Sequence, residues 1–209
     1  SIGFSSDFSA GVHVILMADY LNLDSIAFGL PLENSYLFHG YRGRDFATSK
    51  YWVKYSEIFA SCGLKLYYPS AGLSEFINLE IVNSLSYGEL AQSCLRSKKS
   101  GKVCGICWKC FRKNSMRGEE IVLSEEVKTF LSKKPLKQAA STLYAIQKLP
   151  EREKQSILKK FPELEEYMDA NFTFLERYHP SSEMFVPEQY RSFYLNKLQA
   201  NFEVMTPEE

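Results

Sequence analysis

Residues 93–110, SCLRSKKSGKVCGICWKC, hold Cys94, Cys104, Cys107 and Cys110 in a C-x9-C-x2-C-x2-C pattern. The CGIC and CWKC turns share Cys107 and let three thiolates converge. The longer loop before them can return Cys94 as a fourth. A tetrahedral zinc ion asks for four such soft ligands at roughly 2.3 Å. The same thiols could instead form two disulfides, serve redox CxxC chemistry or hold an iron–sulfur cluster. Zinc is the reading the flanks favour: Lys98, Lys99, Lys102, Lys109, Arg112 and Lys113 would offset the two negative charges of a zinc–tetrathiolate unit. Cys62 stands apart and reads as a small buried residue at a helix end.

The segment also divides the chain. Before it, Val12, Ile15, Leu16 and Tyr20 recur at helical spacing within a helix expected over 10–23. SIAFGL, residues 25–30, is a short apolar run suited to a buried parallel strand. A polar loop through ENSYLFHGYRGRD leads to a second helix over 48–62, with Trp52, Tyr55, Ile58 and Phe59 on one face and Gly63 as its stop. Residues 64–68 form a second strand ended by Pro69, and 73–85 a third helix with Ser74 as N-cap. Helices alternating with strands imply a parallel sheet with helices packed on it.

After Glu119 the chain is charged and helical, through SEEVKTFL, KQAASTLYAIQKL, EREKQSILKKF and PELEEYMDANFTFLERY, with Pro135, Pro150 and Pro162 where new helices can start. Helices are expected over 136–149 and 188–202. The fold class read from these patterns is α/β: a parallel sheet flanked by helices, a four-cysteine zinc knuckle and an α-helical C-terminal extension. The expected units are an α/β domain over 1–118, with the knuckle at 94–110, and the extension over 119–209.

The chain has 209 residues, 45% of them hydrophobic, enough for one good core. Basic and acidic residues balance at 25 each, so no whole-chain field points to nucleic acid or membrane. No apolar run approaches a membrane span. Reduced thiols and no export signal lead to a cytoplasmic expectation. The opening SIGFSSDFSAG has no initiating Met, which fits a piece of a longer protein.

The run Ser93-Cys94, with Cys104-Gly105-x-Cys107-x-x-Cys110-x-Arg112, resembles the C-terminal zinc motif of 7-cyano-7-deazaguanine synthases, ATP-dependent ligases of the PP-loop superfamily. ADYLNLDSIAFGLPLEN resembles that family's helix–strand step, with Gly29 and Glu33 at its glycine and acidic positions. HGYRGRDF resembles the substrate loop, matching Gly40, Tyr41 and Phe46, with Arg44 and Asp45 displaced. Pro69 and LSEFINLEIV resemble the strand-end proline and the following helix. The resemblance covers residues 10–115, about half the chain.

What it implies is a partial adenine-nucleotide alpha-hydrolase-like fold and a reaction in which ATP, with Mg2+, adenylates a carboxylate that an amine then attacks. Zinc would be structural, since four thiolates leave no open position for water. A purine-like or carboxylate small molecule would bind at the loop after the first strand, through Glu33, Asn34, Tyr41, Arg44 and Asp45. His39 and Arg42 lie in the same loop. No catalytic residue is assigned.

The chain departs from that pattern in four places. The nucleotide loop SGGxDS is absent, so an upstream segment or a partner subunit would have to supply it. The Arg-Asn pair ahead of the first helix is replaced by Val12-His13, and the lysine of the helix after Pro69 by Glu75. The helical tail has no counterpart. Two other readings stand beside the ligase: a zinc-knuckle nucleic-acid-binding module using RSKKSGK, and a non-catalytic structural or regulatory subunit docking through its helices. Of the remaining candidates, His13 reads as a core histidine, His179 as a cation at a helix C-terminus, and Trp108 as a shield over the sulfurs or a platform for a base.

Overall fold

A computed structural model describes residues 6–36, 45–91, 94, 96–97 and 102–209. Its organising unit is two short parallel strands joined by a helix. β1 (Ser25–Ala27) pairs with β2 (Lys65–Tyr67) in the register Ser25↔Lys65, Ile26↔Leu66, Ala27↔Tyr67. The crossover helix between them is α3 (Lys50–Ser61). Ser49 caps α3, its hydroxyl accepting the N–H of Trp52, and Gly63 at φ 77° lets the chain turn back into β2. The strands are shorter than the apolar runs that contain them. Beyond Phe28, whose N–H still donates to the Tyr67 carbonyl, the two segments are tied through loops: Leu30 N–H donates to Ser70 Oγ and Leu32 N–H to the Leu73 carbonyl.

α1 (Ser6–Leu16) packs on this unit through Phe8. The Phe8 ring lies 5.0–5.5 Å from those of Phe28, Tyr51, Tyr55 and Phe59. The expected helix over 10–23 ends early: after Leu16 the chain passes through turns to Asn22, which adopts the left-handed φ of 51°. The buried face is therefore Phe8 and Ala18, while Leu16 and Tyr20 of the expected stripe are 77% and 82% exposed. His13 is exposed as well, not a core histidine, and Cys62 is exposed at the end of α3, not buried.

The rest of the described chain is mainly helical. It comprises α2 (Leu32–Ser35), α4 (Glu75–Ser84), α5 (Trp108–Arg117), α6 (Glu125–Ser132), α7 (Ala139–Gln147), α8 (Glu151–Leu158) and α9 (Glu188–Gln199). Ser74 and Ser124 cap α4 and α6, accepting from Ile77 N–H and Val127 N–H. Residues 162–176, expected to be α-helical, form 3-10 turns at Pro162–Tyr167 and Thr173–Glu176. There Phe161 and Leu164, like Phe172 and Leu175, meet at a spacing of three, which the tighter helix brings onto one side.

Four apolar clusters join these parts, the smallest made by Leu73, Ile77, Tyr178 and Leu198. An aromatic one around Phe46, Tyr68 and Phe185 fills the sheet side. A second joins Phe111 of α5 to Val127, Leu131, Ile146, Ile157 and Leu164. A third brings Leu32, Leu79, Met116, Tyr144, Leu175 and Met205 together. Each fully buried side chain of this size contributes about 2 kcal/mol. Residues on both sides of position 118 share the second and third clusters. The described chain is thus mostly helical with a small two-stranded parallel sheet, a coarser architecture than a full α/β sheet. Among the described residues no helix is long and apolar enough to cross a membrane.

Candidate metal centre

The sulfurs of Cys94, Cys104, Cys107 and Cys110 all lie within 4.8 Å of one another. Two local devices converge them. Gly105 takes φ 74°, a left-handed turn that an L side chain would strain, and this curls the CGIC segment back on itself. Cys107 is then the N-cap of α5, and Cys110 follows one turn in, so both thiols sit at the positive end of that helix.

The geometry fits a four-coordinate ion. Cys107 Sγ and Cys110 Sγ are 3.5 Å apart, and Cys104 Sγ and Cys110 Sγ 3.8 Å. Four sulfurs at 2.3 Å from a shared centre would be separated by about 3.8 Å. Cys94 is drawn in by the N–H of Cys104, which donates to its sulfur at 3.3 Å. No pair is joined as a disulfide. These four residues could hold a metal ion such as zinc.

Electrostatics agrees. The N–H of Cys104 and further hydrogen bonds hold the Cys94 thiol down at about 6. Burial pushes the Cys110 thiol up to about 12 and raises that of Cys107. Thiols this close cannot all ionise without a cation among them. A divalent ion removes the conflict, since all four can then bind as thiolates.

The surroundings differ from a simple basic halo. Arg112 turns inward and is 1% exposed. Its guanidinium pairs with the Glu75 carboxylate, donates to Gln138 Oε1 at 2.5 Å and lies 4.8 Å from the Trp108 ring centroid. Trp108 is half-buried and stacks on Phe130 at 5.2 Å, so its ring is engaged by protein. Arg96 pairs with Glu126. Lys98 and Lys99 lie outside the described residues.

Of the five candidate ligand contacts, Glu33, Asn34 and Asp45 lie among the described residues. Glu33 is sealed at 1% exposure. Its oxygens accept the Glu75 N–H at 2.9 and 3.1 Å, and Oε1 also accepts from Ser141 at 2.6 Å. Burial, reinforced by Glu75, raises its pKa despite those bonds. Glu33 thereby caps the first N–H of α4 rather than facing a cavity. Asn34 is half-buried, and exposed Asp45 accepts the N–H of Ala47. Tyr41 and Arg44, with His39 and Arg42, lie outside the described residues.

His179 is not a C-terminal cation. It caps the 3-10 turn Pro180–Phe185, its Nδ1 taking the Ser181 N–H at 3.2 Å and lying 2.7 Å from Ser181 Oγ. Burial lowers its pKa. The Tyr36 hydroxyl bonds Ser181, and its ring stacks on His179 at 4.2 Å. Neither this cluster nor the Glu33–Ser141 contact carries a local sequence signal, because each joins residues more than a hundred positions apart.

The model of a family of unknown function, DUF6395, matches residues 54–209, more than half of the chain, and the chain belongs to that family. The matched region begins inside α3 and takes in β2, all four clustered cysteines and every later helix. No curated protein and no solved structure matches the chain.

Proposed function

We propose that this chain is the zinc-holding carboxy-terminal portion of an ATP-dependent carbon–nitrogen ligase resembling 7-cyano-7-deazaguanine synthases. The observation that carries the reading is the four-sulfur cluster at the start of α5, in a chain that also holds a parallel strand–helix–strand unit. Cys94, Cys104, Cys107 and Cys110 would hold a structural zinc, fixing a turn that apolar contacts alone would leave loose. Their thiolates need a reducing compartment, the cytoplasm in this reading.

The carboxylate-activating chemistry would require ATP, Mg2+ and an SGGxDS loop from another segment or subunit, with a purine-like or carboxylate substrate at the carboxyl end of the strands. Two measurements test this separately. Elemental analysis of the purified chain should give one zinc per molecule; a metal-free, folded protein ends the zinc reading. Pyrophosphate release from ATP should appear only when the chain is combined with an SGGxDS-bearing component and a carboxylate substrate. Release by the chain alone, or none with any such component, ends the ligase reading and leaves the zinc site standing.

A further inference from the structure

A cavity of 590 Å3 opens between α4 and α9, directly after β2. That is the size of a small-molecule pocket, and the carboxyl end of parallel strands is where open α/β units place ligands. Its walls are mainly apolar, from Leu73 and Ile81 on one side and Leu198 and Phe202 on the other. Tyr194 lends its ring alone, because its hydroxyl is spent on the Pro69 carbonyl at 2.7 Å.

Two groups give the cavity a polarity. Ser70 accepts the Leu30 N–H at 2.9 Å, which leaves its own hydroxyl proton to offer. Among the described residues Lys197 is the only cation lining the space, and no carboxylate pairs with it; its ammonium stands 5.7 Å over exposed Phe193, beside the cavity lining. Glu80 lines the same space and also the open groove on the other side of α4, which Arg117 lines too. A hydroxyl donor and a lysine without a carboxylate partner, both lining a mainly apolar cavity, suit an anion whose remainder is hydrophobic.

We infer that this cavity binds a small monocarboxylate with an apolar body, its carboxylate between Lys197 and Ser70 and its body against Ile81, Leu198 and Phe202. The inference does not depend on the ligase reading. α9 lies in the part of the chain for which the synthase resemblance offers no counterpart, and the test uses neither ATP nor zinc chemistry.

The test is calorimetric titration of the full chain with 4-phenylbutanoate, 4-phenylbutylamine and 4-phenylbutan-1-ol. The carboxylate should bind at one site per chain, more tightly than the alcohol or the amine. Lys197→Met, on an exposed helix surface, should weaken the carboxylate about threefold to fivefold and leave the alcohol unchanged. Ile81→Trp should fill the floor and abolish both. Absence of binding by all three probes, equal or tighter binding of the amine, or a carboxylate affinity indifferent to Lys197→Met would overturn the inference. So would a folded Ile81→Trp protein that binds as before; should that variant not fold, the Lys197→Met comparison decides alone.

Discussion

Ser141 Oγ donates to Glu33 Oε1 at 2.6 Å, joining α7 to α2, the short helix after β1. Both residues are closed to solvent. The same carboxylate receives the first N–H of α4, so one acidic group fixes three elements that the sequence brings from far apart. Glu75, whose N–H it takes, also reaches Arg112 of α5, two residues beyond Cys110. A polar path therefore runs from Ser141 through Glu33 and Glu75 to Arg112, on the helix that carries Cys110.

The raised pKa of Glu33 sets a pH dependence. Burial is the main cause, so the folded carboxyl holds its proton to higher pH than the unfolded one, whose ordinary value is 4.5. Between those two values the native state binds more protons, and stability falls as pH rises. Glu33→Gln removes that contribution while keeping an oxygen for the Glu75 N–H. Urea denaturation should show the variant losing less stability than the wild type as pH increases from 4.5. Parallel stability–pH curves for the two proteins would refute it.

Arg112→Met should destabilise the chain by about 3–5 kcal/mol, because it strands the Glu75 carboxylate beside a filled core. Arg112→Lys should not rescue it, since an ammonium cannot both stack on Trp108 and reach Glu75 and Gln138 as the guanidinium does. Adding Glu75→Gln to Arg112→Met should recover more than half of the loss. A double-mutant cycle in urea reads the coupling, and additive losses would mean the pair is not coupled.

Local chemistry made part of this molecule legible. Ser74 and Ser124 sit before helical runs and cap them, Gly63 takes a left-handed turn at a helix end, and the thiol spacing gives the sulfur cluster. What did not show is decided by tertiary partners. Of the stripe expected on the first helix only Ile15 packs on the core, while Phe8, outside that stripe, meets the aromatic set on α3 and is buried. Arg112 looked like charge compensation for thiolates, while its carboxylate partner lies thirty-seven positions upstream. Glu33 looked like a ligand contact because it follows a strand, and only the fold reveals that α4 and α7 enclose it.

Gly72→Ala should be strongly destabilising although the residue has an ordinary φ. A Cβ there would lie 1.8 Å from Ser182 Oγ and 3.0 Å from the His179 carbonyl, whose turn is already bonded to Gly72 by the His179 N–H. The backbone cannot retreat without breaking that bond, so the cost should reach about 3 kcal/mol or more. Gly72→Ala with Ser182→Ala should recover part of it. Thermal unfolding checks both; an unchanged midpoint for the single variant would mean the two segments are not in contact.

Metal removal should be felt well beyond the knuckle. α5 begins at the sulfur cluster, and its Phe111 and Met116 belong to two different apolar clusters, so freeing its first turn loosens both. A strong chelator should lower the unfolding temperature of the zinc-loaded wild type. Cys107→Ser should lose most of its zinc and show no further response to the chelator, because the replaced ligand is both a corner of the site and the N-cap of α5. Acidification should release the metal too, as protons compete for the thiolates. Cys62→Ser serves as the control, since that thiol is exposed and outside the cluster, and it should keep full zinc content. Stoichiometric zinc in Cys107→Ser, or a wild-type midpoint indifferent to chelation, would show that the four sulfurs do not carry a structural ion.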